Sequence, residues 1–190
     1  MQPVQKAFKY CLGPEGAQVR LARRTAGCRR YVMNRALALQ TDHHAAGGKF
    51  LPYATLCEHL ARWRADPETD WLRAAPSQAL QQALKDLDRA FQNFFVGHAS
   101  YPTFKKKGRG DSFRYPQPSQ IALDQANSRV YLPKLGWVRY CNSRPVTGAL
   151  RNVTVSVTGD RWFASIQTQQ DVADPVPAAT SAVGADVGSR

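Results

Sequence analysis

With 190 residues, of which 43% are hydrophobic, the chain can form one folded domain or two small ones, and its composition argues against a disordered protein. Its 26 lysines and arginines against 14 aspartates and glutamates give a net charge of +12, which favours nucleic acid as a partner over a merely solvated basic surface. No apolar run approaches the ~20 residues of a membrane span, and the first residues lack the apolar core of a secretory signal. We therefore expect a cytoplasmic protein without membrane association.

The periodicity of the chain begins as that of a strand and then becomes helical. Residues 5–12 alternate with a period of two, which predicts a first strand. A first helix is predicted over residues 14–24, and a turn at Gly27 leads to a second helix, so that the pair resembles a helix-turn-helix. A third helix is predicted over residues 53–63 and a fourth, with the clearest apolar stripe, over residues 76–95.

Beyond residue 97 the period returns to two, which is typical of strands. The predicted strands cover residues 129–133, 137–141, 152–158 and 161–168. A proline-rich stretch follows and separates them from a last strand-like segment.

The order of elements predicts an α+β fold in which a β unit carries a helical insertion. The predicted organisation is a first strand (1–13), a helical lobe (14–98), the remainder of the β unit (99–171), a linker (172–180) and the start of a further domain (181–190).

The four cysteines lie far apart, without a CxxC pair or a Cys/His pair at metal-ligand spacing. They are Cys11, Cys28, Cys57 and Cys141. The sequence therefore predicts reduced thiols and no zinc site.

Residues 101–115 interleave five basic side chains with aromatic ones. The basic residues are Lys105, Lys106, Lys107, Arg109 and Arg114, and the aromatic residues are Tyr101, Phe104, Phe113 and Tyr115. Cations can hold phosphates while aromatic rings stack on bases, and the glycines at 108 and 110 allow backbone amides to approach an anion. The alternative is a solvated loop that its aromatic residues anchor to the β unit.

The first two predicted helices carry six arginines without an intervening acid. They are Arg20, Arg23, Arg24, Arg29, Arg30 and Arg35. This set favours contact with phosphates or an RNA scaffold over the reading of base edges, since many helical pairs share the spacing and never enter a groove.

The polar face of the fourth predicted helix presents Ser77, Gln81 and Lys85 at helical spacing. Glutamine can read adenine edges, and lysine can reach guanine or phosphate. A solvated face opposite the core stripe explains the pattern equally well.

Asp186 stands between Gly184 and Gly188 on the last strand-like segment. A carboxylate with glycines around it suits a divalent metal, which prefers oxygen ligands and needs room for phosphate. Such a site needs a further carboxylate, so we expect this chain not to complete it alone.

The order of several segments closely resembles the OrfB/TnpB proteins of bacterial insertion sequences. The segments are residues 6–14 (KAFKYCLGP), 27–37 (GCRRYVMNRAL), 77–95 (SQALQQALKDLDRAFQNFF), 101–108 (YPTFKKKG), 132–138 (LPKLGWV), 152–155 (NVTV) and 183–188 (VGADVG). Together they span nearly the whole chain.

The resemblance implies an RNA-guided DNA endonuclease that uses a guide RNA from the transposon end. It implies an oligonucleotide-binding-like β-barrel split by a helical recognition lobe, followed by a RuvC-type nuclease domain with an RNase H-like fold, three acids and Mg²⁺. Asp186 matches the first of those acids. Tyr53, Ser77, Gln81 and Lys85 match lobe positions that face the short DNA motif beside the target.

The sequence also departs from the family pattern. The second and third acids and a four-cysteine zinc element are expected beyond residue 190, and Ala185 replaces a bulky apolar residue. We therefore expect a truncated chain that binds DNA and guide RNA as the N-terminal part of a transposon-associated nuclease and does not cleave alone. The rival hypotheses are a stand-alone repressor-like DNA-binding module and a decayed, non-functional fragment.

Overall fold

The structure is a computed structural model that describes residues 2–172. Asp186, the predicted nuclease strand at 181–190 and nearly all of the predicted linker lie outside the described residues.

Seven strands form one antiparallel sheet in the order β2-β6-β7-β1-β5-β4-β3. They are β1 (Gln2–Gly13), β2 (Ser112–Tyr115), β3 (Ala122–Asp124), β4 (Arg129–Leu132), β5 (Gly136–Tyr140), β6 (Ala149–Thr158) and β7 (Arg161–Val172). Strand β1 lies at the centre because it pairs with β7 along its length and with β5 at its C-terminal end. The alternation seen in the sequence is confirmed there, since Phe8, Tyr10 and Leu12 are buried and their neighbours are less so.

The inner face of the sheet packs around a single cluster of buried residues to which six of the strands contribute. Edge strand β2 adds Phe113 and Tyr115, and β4, near the other edge, adds Val130 and Leu132. Within the described residues no pairing joins β2 to β3, so a fully hydrogen-bonded barrel stays a prediction. The α+β class is confirmed.

The helices are inserted between β1 and β2. They are α1 (Gly16–Ala45), α2 (Tyr53–Ala65), a 3₁₀ helix (Pro67–Ala74) and α3 (Ser77–Phe95). Leucines 80, 84 and 87 and Phe91 of α3 are buried in a second cluster with residues of α1 and α2, as the apolar stripe predicts. No helix in this described part is both long and apolar enough to cross a membrane. All four cysteines are free thiols.

The turn predicted at Gly27 is wrong, because α1 runs unbroken for 30 residues. A glycine inside a helix costs only about 1 kcal/mol relative to alanine, and packing on both sides outweighs that cost. Ala22 and Ala26 pack in the sheet cluster, whereas Cys28 and Val32 pack in the helical cluster. Helix α1 therefore belongs to both cores.

Candidate nucleic-acid interface

The basic loop at residues 101–111 is fixed to α1 by its main chain. The Asn34 side chain donates from Nδ2 to the Lys105 carbonyl oxygen at 3.0 Å, and the Lys105 backbone N–H donates to Asn34 Oδ1 at 2.7 Å. Both bonds leave the Lys105 side chain unused. The side chains of Lys105, Lys106 and Lys107 are exposed.

Asp111 closes the other end of this loop. Arg30 Nη1 lies 2.7 Å from Asp111 Oδ1, and the Gly108 backbone N–H donates to Asp111 Oδ2 at 3.0 Å. Gly108 has a φ of +77°, a conformation that a glycine adopts without a steric penalty. Both side chains of the ion pair are largely buried, so the pair is screened less than a surface pair.

Two clefts along α1 share Arg30 and together form what we call the basic groove. The larger measures about 710 Å³ and is lined by Arg24, Gly27, Cys28, Arg30, Tyr31, Asn34, Arg35 and Trp71. The smaller measures about 230 Å³ and is lined by Ala26, Arg29, Arg30, Lys105, Arg109, Gly110, Asp111 and Ser112. The fold thus brings arginines of α1 next to Lys105 and Arg109, about 70 to 80 residues later in the chain.

Most of the six arginines on α1 already have partners within the protein. Arg29 pairs with Asp86 at 2.7 Å, and the exposed Arg23 lies 3.6 Å from Asp160. The Arg35 guanidinium lies 4.9 Å from the ring centroid of Trp63 and donates to the Tyr31 hydroxyl at 2.6 Å. Arg20 and Arg24 are exposed and form no ion pair with another described residue.

The aromatic residues of the loop divide into two classes. Tyr101 and Phe104 are exposed, whereas Phe113 and Tyr115 are 1% and 2% exposed in the sheet core, so their rings cannot stack on bases. Burial raises the pKa of Tyr115, whose hydroxyl donates to the Pro133 carbonyl oxygen at 3.1 Å. The anchoring alternative is therefore right for these two. Arg114 lies between them on the exposed face of β2 and donates to Thr154 at 3.2 Å.

The structure brings Tyr53 of α2 next to Lys85 of α3, with the Lys85 Nζ 5.5 Å from the ring centroid. Burial, together with a hydrogen bond to Cys57, raises the pKa of Tyr53 to about 12. Gln81 and Lys85 are exposed and Ser77 is half-buried, at the one-turn spacing predicted from the sequence. None of these four residues lines the basic groove.

Two residues of this region were not predicted from the sequence. Asn34 was overlooked, although a short amide in the middle of a helix is a poor helix former and often has another role. Asp111 follows a glycine-rich turn, where a carboxylate commonly accepts backbone N–H groups, and this signal could have indicated its role. Its second partner, Arg30, is 81 positions away, and no local pattern reveals it.

No group of three or more His, Cys, Asp or Glu side chains within residues 2–172 could hold a metal ion. Asp186, the residue predicted to bind Mg²⁺, lies outside these residues.

Residues 1–49, which include β1 and α1, match a family model described as a helix-turn-helix domain, HTH_OrfB_IS605. The chain is 52% identical, over 96% of its length and 45% of the relative's, to a protein of Escherichia coli (strain K12) named as a candidate RNA-guided DNA endonuclease, InsQ. It is 35% identical, over 99% of its length and 47% of the relative's, to a candidate RNA-guided DNA endonuclease of Streptomyces pristinaespiralis. The chain thus spans about half the length of the curated relatives that it matches.

Proposed function

The chain belongs to the OrfB/TnpB-type family, and from this premise we propose that it binds DNA and guide RNA as part of a transposon-associated, RNA-guided system. The observation that carries the proposal is the basic groove, where α1 and the loop at residues 101–111 meet. The names of both relatives include RNA guidance and DNA as the substrate.

The electrostatics of the groove support phosphate binding. Among the described residues, the only acidic one that lines the groove is Asp111, and it is already paired with Arg30. Arg24 and Arg109 line the groove, while Lys106 and Lys107 are exposed on the adjoining loop. Neutralised phosphates release counterions, so a groove of this charge favours a nucleic-acid backbone regardless of sequence.

We assign sequence recognition to a different surface, the one formed by Tyr53, Ser77, Gln81 and Lys85. Exposed amide and ammonium groups one turn apart on α3 can address neighbouring base edges. The Tyr53 ring packed at Lys85 limits the freedom of that ammonium group. This surface is proposed to face the short DNA motif beside the target.

DNA cleavage with Mg²⁺ is proposed for the whole protein, with Asp186 as the first of the RuvC-type acids. We expect the chain of 190 residues to bind without cleaving. Mg²⁺-dependent cleavage of DNA by the purified chain with guide RNA, lost on Asp186→Ala, would contradict that expectation.

The binding proposal is tested by replacing Lys105, Lys106 and Lys107 together with glutamine. Each lost phosphate contact should reduce the slope of log K against log salt by about 0.9 for duplex DNA and about 0.7 for a single strand. We expect the slope, measured by fluorescence anisotropy, to fall by about 2 to 3 in all.

The matched control replaces three exposed cations outside the groove, Lys6, Lys49 and Arg62, with glutamine. It therefore removes the same three positive charges as the first variant. Equal losses in both triple variants would show that net charge alone, and not the groove, controls binding.

A further inference from the structure

The outer face of the β4–β5 hairpin carries four large side chains that the basic groove does not include. Alternation points Val130, Leu132, Val138 and Tyr140 into the core. The residues between them face outward in two cross-strand pairs, Arg129 opposite Arg139 and Tyr131 opposite Trp137. We call these four outward residues the hairpin platform.

The two aromatic residues of the platform remain exposed to solvent. Trp137 is 43% exposed and Tyr131 is 38% exposed, and their rings meet edge-on with centroids 5.6 Å apart. Such a pair on a sheet surface leaves ring faces available for a flat ligand. The main chain of the hairpin is also hydrogen-bonded to α1, because Gln18 Nε2 donates to the carbonyl oxygens of Leu135 and Trp137 at 3.0 and 2.9 Å.

Arg129 is positioned by its neighbours. Its Nη2 lies 2.8 Å from Asp124 Oδ2, and its guanidinium lies 5.1 Å from the Trp137 ring centroid. Hydrogen bonds from Arg129 and Asn127 lower the pKa of Asp124 to about 2. The Arg129 Nε is buried and finds no acceptor within the described residues. Arg129 therefore keeps a fixed orientation, although its buried Nε donor is unused.

Arg139 lies directly opposite Arg129, and like charges at that position destabilise a sheet. Arg139 is exposed and forms no ion pair with another described residue. A recess of about 310 Å³, lined by Asn127, Ser128, Arg129, Arg139 and Tyr140, opens beside the two guanidinium groups. An anion bound there would offset the repulsion between the two arginines.

We propose that the hairpin platform binds single-stranded nucleic acid, with a base stacked on Trp137 and an adjacent phosphate in the recess between Arg129 and Arg139. Two cations against one carboxylate favour a polyanion over an apolar protein surface. A single strand fits better than a duplex, because only an unpaired nucleotide can offer its full base face to the ring. The inference rests on the proposed function and assigns to it a second, separate contact.

The test uses the full chain and a short labelled single strand, as RNA and as DNA of the same sequence, with a duplex for comparison. We expect the single strand to quench tryptophan fluorescence. Trp137→Phe should remove the platform's share of that quenching, leaving the share of Trp71 in the basic groove, while affinity changes less than about threefold because an aromatic ring remains. Trp137→Leu should weaken binding by roughly 5- to 100-fold, since stacking on an aromatic ring is lost. Circular dichroism of each variant separates a lost contact from a lost fold.

Arg139→Gln provides a second variant, since no hydrogen bond or ion pair of the Arg139 side chain to another described residue would be lost. It should reduce the salt slope for the single strand by about 0.7, the value for one phosphate contact. The matched control is Arg62→Gln, an exposed arginine on α2, which should leave the slope unchanged.

Three results would overturn the inference. In the first, all platform variants keep wild-type affinity and quenching while the Lys105/Lys106/Lys107 variant loses binding; the proposed function then stands, and the platform does not contribute to it. In the second, the chain binds no probe at low salt, which would contradict both the proposed function and the platform. Concentration-dependent dimerisation that buries Trp137 and is indifferent to oligonucleotide would assign the platform to contact between copies of the chain.

Discussion

The helical lobe and the sheet use their arginines differently. In the lobe, Arg29 and Arg30 are held by Asp86 and Asp111, and Arg35 lies against Trp63. On the outer face of the sheet, Arg139 stands opposite another arginine and forms no ion pair within residues 2–172. The difference teaches that a count of basic residues overstates the binding capacity of a surface where those residues also hold the fold together.

The largest effect is expected from substitutions in the two buried clusters, one in the helical lobe and one in the sheet. Leu84→Ala in the helical cluster should lower the free energy of unfolding by about 2–5 kcal/mol, because Leu84 is fully buried. Val130→Ala in the sheet cluster should lower it by a smaller amount, because Val130 is also fully buried but fewer carbon atoms are removed. Since α1 packs in both clusters, we expect one cooperative transition in each variant, by circular dichroism and by tryptophan fluorescence alike. Two separate transitions would mean that lobe and sheet unfold independently.

A second test removes the acid that restrains Arg30. Asp111→Ala deprives Arg30 of its ion pair and the Gly108 N–H of its acceptor, so stability should fall by about 1–3 kcal/mol. The loop should also become more susceptible to proteolysis near residues 105–109. Asp160→Ala, which removes the partner of the exposed Arg23, is the control and should change stability by less than about 0.5 kcal/mol. Equal effects of the two variants would contradict a structural role for the Arg30–Asp111 pair.

Gly27→Ala tests the continuity of α1 between the two regions. Of the described residues, only the Arg30 side chain would lie within 4 Å of an added Cβ, at 3.8 Å, and alanine is the better helix former. We expect Gly27→Ala to raise the free energy of unfolding, measured by chemical denaturation, by about 1 kcal/mol. A clear loss of stability would indicate that this position needs a turn after all.

The smallest effect is expected from pH on the platform. Because the hydrogen bonds from Arg129 and Asn127 lower the pKa of Asp124 from its ordinary value of 3.8 to about 2, its contribution to stability is present above about pH 4 and is lost as the pH falls towards 2. Asp124→Asn should flatten this part of the stability curve and loosen the stacking of Arg129 on Trp137. Tryptophan fluorescence titrated from pH 5 to 2 measures both, and identical profiles for variant and wild type would refute the assignment.

Sequence periodicity predicted the elements whose packing is regular. Strand β1 and helix α3 follow from their alternation and their apolar stripe. Strands β2 and β3 have four and three residues and were missed, because so short a run carries almost no period. The prediction of a turn at Gly27 was wrong because long-range packing of α1 in two cores overrides a local glycine signal.

The candidate site was only partly predictable for a related reason. The residue types of the basic loop and of α1 were recognisable from charge, but their meeting depends on Asn34 and Lys105, which are 71 positions apart. Likewise, only the register of β4 with β5 reveals that Arg129 and Arg139 are neighbours. Composition indicates the chemistry, whereas strand register and helix docking decide which side chains act together.

The attachment of the loop through the main chain of Lys105 has a consequence for how this surface can change. Asn34 recognises only a backbone N–H and a carbonyl oxygen, which almost any amino acid supplies at that position. Side chains at 105, 106 and 107 can therefore be replaced while the loop keeps its path. Mutational libraries at these three positions would therefore vary the charge of the loop, and with it the affinity for phosphate, on an unaltered scaffold.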